Sequence, residues 1–117
     1  MDIKFREKIF NNKYIGTIKN STIIYEYKSK QCSDNFKIFI KIKDNKIIDI
    51  KYQIFGCIGL MAGCFQTCDL IINKTISEVF ELKEEDILKD IGVYPEEKKY
   101  CILKLFNLFN EIFVDFV

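Results

Sequence analysis

The chain contains no histidine and no tryptophan, and its 117 residues include a single proline, Pro95. Without an imidazole there is no Ser-His-Asp or Cys-His catalysis, no HExxH zinc site and no histidine proton shuttle. No CxxC occurs either, which excludes a zinc ribbon and a thioredoxin-like redox site. The five glycines are scattered, with none in GxGxxG or GxxxxGK spacing, so no glycine loop is built to cradle a phosphate. Neither charge sign predominates: 18 Lys and Arg stand against 17 Asp and Glu. The basic residues are dispersed and many alternate with apolar ones, the pattern of a solvated face. Nothing in this balance argues for binding nucleic acid or an anionic membrane. No uncharged run is long enough to span a bilayer. The N-terminus carries Asp2, Lys4, Arg6, Glu7 and Lys8 where a secretory signal would be apolar. The expectation is a cytoplasmic protein whose five cysteines stay reduced and serve as ligands or nucleophiles.

What is present suits one globular domain over residues 1–117, with 49% apolar and 30% charged residues. Residues 2–10 read as a short amphipathic helix, with Ile3, Phe5 or Arg6 and Phe10 near one stripe, ended by Asn11-Asn12. Ser21 to Ser29 is a first strand. Phe36 to Ile42 alternates, with Phe36, Ile38, Ile40 and Ile42 on one face and lysines on the other. After a turn at Asp44-Asn45-Lys46 the chain returns with Ile48, Ile50, Tyr52 and Ile54 on one face and Asp49, Lys51 and Gln53 opposite. A sheet with one polar and one apolar face is antiparallel and needs helices on the apolar side. Helical patterns follow at Ile58 to Asn73, Thr75 to Leu82 and Glu84 to Ile91, and from about Lys98 to the end, where Lys104, Asn107, Glu111 and Asp115 form a polar stripe. Strands first and helices after predict an α+β fold, a small antiparallel three-stranded sheet covered on one face by helices. The phenylalanines of the tail (Phe106, Phe109, Phe113, Phe116) are expected to lie against the sheet, with a partner or a second copy in a homodimer as a further cover for that end.

The chemistry concentrates in the thiols. At Ile54-Phe55-Gly56-Cys57 a strand ends at a glycine turn, and a cysteine stands where a helix begins. Amide donors and the dipole at a helix start favour thiolate over thiol. Cys101 follows Tyr100 at another predicted helix start, and Cys32-Ser33-Asp34 occupies the loop between the first two strands. Each has a bland reading alone: Asp34 as a turn former, the thiols as small core residues. Antiparallel connectivity brings all of them toward one edge of the sheet. Three thiolates and a carboxylate form a four-ligand set suited to zinc or iron. Cys64 and Cys68 share a helix stripe with Cys57 and Met61. They read mainly as core residues, with Cys64 as a candidate auxiliary thiol for sulfur relay.

These segments resemble the iron–sulfur cluster scaffold proteins of the IscU and NifU N-terminal type, over nearly the whole chain. Asn11-Asn12-Lys13-Tyr14-Ile15-Gly16 matches that family's Asn-Pro-Arg-Asn-Val-Gly, and Cys32-Ser33-Asp34 its Cys-Gly-Asp. Lys43 to Cys57 matches its hairpin and Phe-Gly-Cys ending, Lys74-Thr75-Ile76 a Gly-Lys-Ser/Thr-Leu, Glu85-Asp86-Ile87 a Thr-Asp-Ile, and Tyr100-Cys101 its His-Cys. The resemblance implies a scaffold without turnover of its own. A cysteine desulfurase would supply sulfur as persulfide, with Cys101 and Cys57 as candidate acceptors. A transient [2Fe–2S] cluster would form on Cys32, Cys57 and Cys101, with Asp34 as an exchangeable fourth ligand, and pass to acceptor apoproteins. Tyr100 takes the place of the family's histidine as an auxiliary candidate, although a phenol, with pKa about 10, ligates poorly at neutral pH. Of the family's chaperone-docking Leu-Pro-Pro-Val-Lys, only Pro95 and Lys98 remain in Tyr94-Pro95-Glu96-Glu97-Lys98, so that partner is not carried over. The insertion of the zinc-dependent SufU branch is absent. Two alternatives stand beside the scaffold: a zinc-bound persulfide acceptor that stimulates a desulfurase, and a metal-free relative acting as a binding module.

Overall fold

β-Branched and aromatic residues dominate residues 23–28, 35–43 and 46–55, and these become the strands β1 (Ile23–Lys28), β2 (Asn35–Lys43) and β3 (Lys46–Phe55). The computed structural model describes residues 2–30 and 33–116. The three strands form one antiparallel sheet in the order β1-β2-β3. The β2–β3 turn is the two residues Asp44 and Asn45, both at positive φ (53° and 62°), while Lys46 already belongs to β3. Asn and Asp tolerate that conformation, and such a turn matches the twist of the paired strands.

The apolar face is set by alternation: Phe36, Ile38, Ile40, Ile50 and Tyr52 are all buried. Two positions differ from the simple pattern. A bulge shifts the register between Lys41 and Ile42, so that Lys41 pairs with Asp49 but Ile42 pairs with Ile47. The extra residue inverts the facing at that point. Ile47 is therefore fully buried and Ile48 is 43% exposed, the reverse of the expected alternation. Phe39 lies on the opposite face and is nonetheless buried, flanked by the paired residues Ile24 and Lys51, with the Lys37 ammonium 5.6 Å from its ring centre.

Helix α1 (Ile3–Phe10) is capped by Asp2, which accepts a hydrogen bond from the Phe5 amide at 3.0 Å. Its buried stripe is Phe5 and Ile9, four residues apart, whereas Ile3 and Phe10 are exposed. Helix α2 (Ile58–Ile71) crosses the apolar face and is buried almost all round. On one side it meets the sheet through Leu60, Cys64, Cys68 and Ile71; on the other it meets Phe5, Ile9, Ile87, Ile91 and Ile102. Two short helices follow, α3 (Ile76–Phe80) and α4 (Glu84–Leu88), the first closed by a Thr75–Glu78 capping box.

The C-terminal region is not one continuous helix. A 3-10 turn at Glu96–Lys98 leads into α5 (Lys99–Ile102), α6 (Lys104–Asn107) and α7 (Phe109–Ile112), then a 3-10 turn at Val114–Phe116. Leu103 and Leu108 between them sit near φ −90° and ψ 0°. These two residues bend the path so that Ile102 and Leu103 serve the α1-side core while Leu105, Phe109, Ile112 and Phe113 serve the sheet-side core. A straight helix would carry one stripe to only one of them. No helix among the described residues is long and apolar enough to cross a membrane.

Candidate metal centre

The end of β3 delivers Cys57 as the residue immediately before α2, with an extended backbone (φ −76°, ψ 166°). Its carbonyl accepts the first helical bond, from Met61 at 3.1 Å, and its thiol makes no capping hydrogen bond. The start of β2 delivers Asp34, whose carboxylate accepts the Cys57 amide at 3.0 Å. This contact explains Gly56, whose φ is not positive. A Cβ there would lie 2.7 Å from Asp34 Oδ1, so the glycine makes room for the carboxylate rather than permitting a special turn.

Cys101 arrives by close packing of backbones. Gly59 and Gly63, one helical turn apart on α2, form a shallow groove into which α5 lies. A Cβ on Gly59 would stand 3.1 Å from the Cys101 Cβ, and one on Gly63 only 2.0 Å from the Ile102 carbonyl oxygen. As a result a carboxylate oxygen of Asp34 and the sulfurs of Cys57 and Cys101 all lie within 4.8 Å of one another, each side chain partly exposed. The convergence expected from sequence holds for these three. Cys32 lies outside the described residues.

The environment does not favour thiolate everywhere. Burial raises the Cys101 pKa to about 11, helped by a hydrogen bond with the Cys57 thiol and by the nearby charges of Cys57 and Asp34, while Lys98 opposes the shift. The four-residue helix α5 does not overcome these effects. A metal that binds at Cys101 must therefore displace a proton, and affinity should rise with pH through the neutral range and level off only near pH 11. A gain of roughly tenfold per pH unit is expected for each proton displaced. Competition titration with a metal chelator at several pH values measures this, and a flat profile would show that Cys101 is not a ligand.

Cys64 and Cys68 are in the core, 1% and 0% exposed. Burial raises both their pKa values well above the ordinary thiol range. Cys64 thus faces the sheet-side core and not the open centre.

A cleft of about 470 Å³ opens beside Asp34 and Cys101, lined also by Tyr27, Ser29, Lys30, Leu60, Tyr100 and Lys104. Tyr100 is 67% exposed and its hydroxyl accepts a hydrogen bond from Lys104. Lys104 was expected on a solvated stripe. It is instead half-buried, its ammonium 3.9 Å from the Tyr100 ring centre and 5.2 Å from that of Tyr27. The signal was available in the spacing, since residues 100 and 104 are neighbours on a helix surface.

Comparison with known proteins gives a consistent neighbourhood. The family described as NifU-like N terminal domain matches residues 4–107. An "Iron-sulfur cluster assembly scaffold protein IscU 1" of Archaeoglobus fulgidus is 30% identical over 101 residues, covering 83% of this chain and 66% of its own. The IscU scaffold protein of Thermotoga maritima is 29% identical over 111 residues, covering 80% and 78%. The chain thus spans just under two thirds of the archaeal relative's length. Among solved structures, an N-terminal NifU-like protein of Brucella abortus superposes with a TM-score of 0.66 at 17% identity, over 97% of this chain and 84% of its own. The SUF-system protein FiSufU of Fervidobacterium islandicum does so at 0.65 and 22%, over 94% and 82%. At these identities the two structures speak for the fold alone.

Proposed function

Because the chain belongs to the NifU-like N-terminal domain family, we propose that it is a scaffold on which a transient [2Fe–2S] cluster is built and then released to acceptor proteins. The observation that carries this reading is the approach of Asp34, Cys57 and Cys101 to within 4.8 Å at the edge of an open cleft. Relatives named iron–sulfur cluster assembly scaffold proteins support it. Cysteine thiolates hold iron and sulfide well, whereas a carboxylate oxygen is a harder, weaker partner. With Cys32 as the third thiolate, the donor set fits a cargo that must be held long enough to form and still leave. The sulfur source in this reading is persulfide from a cysteine desulfurase.

Within the site each residue has a separate task. Cys57 is fixed at the helix start by the bond from its amide to Asp34, Cys101 is brought in by the α2–α5 contact, and Asp34 supplies the exchangeable oxygen. Anaerobic incubation with ferrous iron and sulfide tests the reading. Thiolate-to-iron absorption with two irons per chain is expected on the [2Fe–2S] stoichiometry, together with its loss in Cys57→Ala. One tightly bound zinc and no such absorption would replace the scaffold with a zinc-bound sulfur acceptor.

Tyr100→His places an imidazole beside Cys101, at the rim of the same cleft. A neutral imidazole is a far better metal ligand at pH 7 than a phenol. Metal affinity is expected to rise about tenfold, measured by the same chelator competition. An unchanged affinity would mean that residue 100 does not reach the metal.

A further inference from the structure

The Lys104 ammonium is held in place by three contacts: a hydrogen bond to the Tyr100 hydroxyl and the faces of two tyrosine rings, at 3.9 Å and 5.2 Å from their centres. A surface lysine normally extends into solvent, and this one is half-buried against two rings. None of the ion pairs among the described residues involves it. Asp34, a carboxylate that lines the same cleft, already accepts the Cys57 amide. Lys104 follows Cys101 by three residues, and both line the cleft with Asp34. The result is a held positive charge, in no ion pair among the described residues, in a cleft that Cys101 also lines.

We infer that Lys104, held by Tyr100 and Tyr27, is a binding residue that receives the negative terminal sulfur of an incoming persulfide and steadies the persulfide anion formed on Cys101. This rests on the scaffold reading for the identity of the anion. The transfer is balanced without an added oxidant or reductant. The Cys101 sulfur gives up its proton and attacks the terminal sulfur of R–S–S⁻. A new S–S bond forms at Cys101 as the donor's S–S bond breaks. The electron pair leaves on the donor sulfur, which takes up the proton, so R–S–S⁻ and Cys101–SH become R–SH and Cys101–S–S⁻. The negative charge has moved from the donor to a sulfur inside the cleft, where a fixed cation favours the loaded state over the unloaded one. Lys30 also lines the cleft, and Lys98 lies near enough to Cys101 to oppose the rise in its pKa, but among the described residues no ring or hydroxyl contact holds either ammonium.

Two measurements separate this inference from the reading it rests on. The first compares alkylation of Cys101 by anionic iodoacetate and neutral iodoacetamide, followed by mass mapping of the Cys101 peptide. The ratio of the two rates cancels any change in thiol acidity. In Lys104→Met the ratio should fall about fivefold, the size of one partly screened charge interaction, and Lys104→Arg should keep most of it. An unchanged ratio in Lys104→Met overturns the inference, whatever the protein's function. The second exposes the protein to cysteine persulfide and reads the gain of one sulfur atom at Cys101. Slower loading in Lys104→Met, restored by Lys104→Arg, supports the assignment. Equal loading of the two variants and the parent overturns it. No loading of the parent, with the alkylation ratio still dependent on Lys104, overturns the persulfide as its ligand and counts against the scaffold reading.

Discussion

Alanine at position 63 is expected to cost about 3 kcal/mol of folding stability or more, the upper range for overpacking a core. The added Cβ would lie 2.0 Å from the Ile102 carbonyl oxygen and 2.6 Å from that residue's carbonyl carbon and Cα. All three atoms are backbone, so no rotamer change can relieve the overlap. Helix α2 and the Lys99–Ile102 segment must separate, and Ile102 and Leu103 leave a core in which they are 0% and 4% exposed. The same separation would carry Cys101 away from Cys57. Urea denaturation of Gly63→Ala should therefore show a large fall in midpoint, with metal binding weakened even where the variant remains folded. A loss below about 1 kcal/mol would mean that the two backbones do not approach this closely.

Asp34→Ala is expected to lengthen the life of a bound cluster about tenfold, equivalent to about 1.4 kcal/mol in the barrier to release. Exchange enters through the weakest bond to the metal, and in the proposed ligand set the carboxylate oxygen is the one hard member. The structure adds an opposing effect. Asp34 also accepts the Cys57 amide at 3.0 Å, and losing that bond should lower fold stability by about 1 kcal/mol. Asp34→Asn separates the two roles, since its amide oxygen can still accept from Cys57 while the ionised ligand is gone. It should recover the stability and retain the longer lifetime. Decay of the cluster's visible absorption after adding an iron chelator measures the lifetime, and unfolding in urea measures the stability. Faster decay in both variants would exclude Asp34 as the point of release.

Much of this arrangement was legible in the sequence because it rests on short-range periodicity. The alternation from Phe36 to Ile40 gave the buried face, and Asp44-Asn45-Lys46 gave the hairpin, one residue longer than the turn is. The cysteine after Gly56 marked the start of α2. What escaped depends on tertiary contact. The bulge that turns Ile47 inward and Ile48 outward leaves no trace in a run of apolar residues, because either isoleucine could fill the core. The breaks at Leu103 and Leu108 arise from serving two cores at once, which no single-stripe pattern encodes. Gly59 and Gly63 look like helix-weakening residues until the α5 backbone is placed against them. The approach of Cys57 and Cys101, 44 positions apart in the chain, was suggested by the residue types and by family resemblance, and the geometry follows from those two glycines.

The depth of Cys64 and Cys68 has a practical corollary. Both sulfhydryls sit behind the sheet, out of reach of water-soluble reagents until the interior opens. A colorimetric titration of the native protein should leave them silent, and their later appearance would time the loosening of the central helix. The same molecule thus carries its own stopwatch for structural integrity, separate from the sulfurs of Cys57 and Cys101 at the open centre.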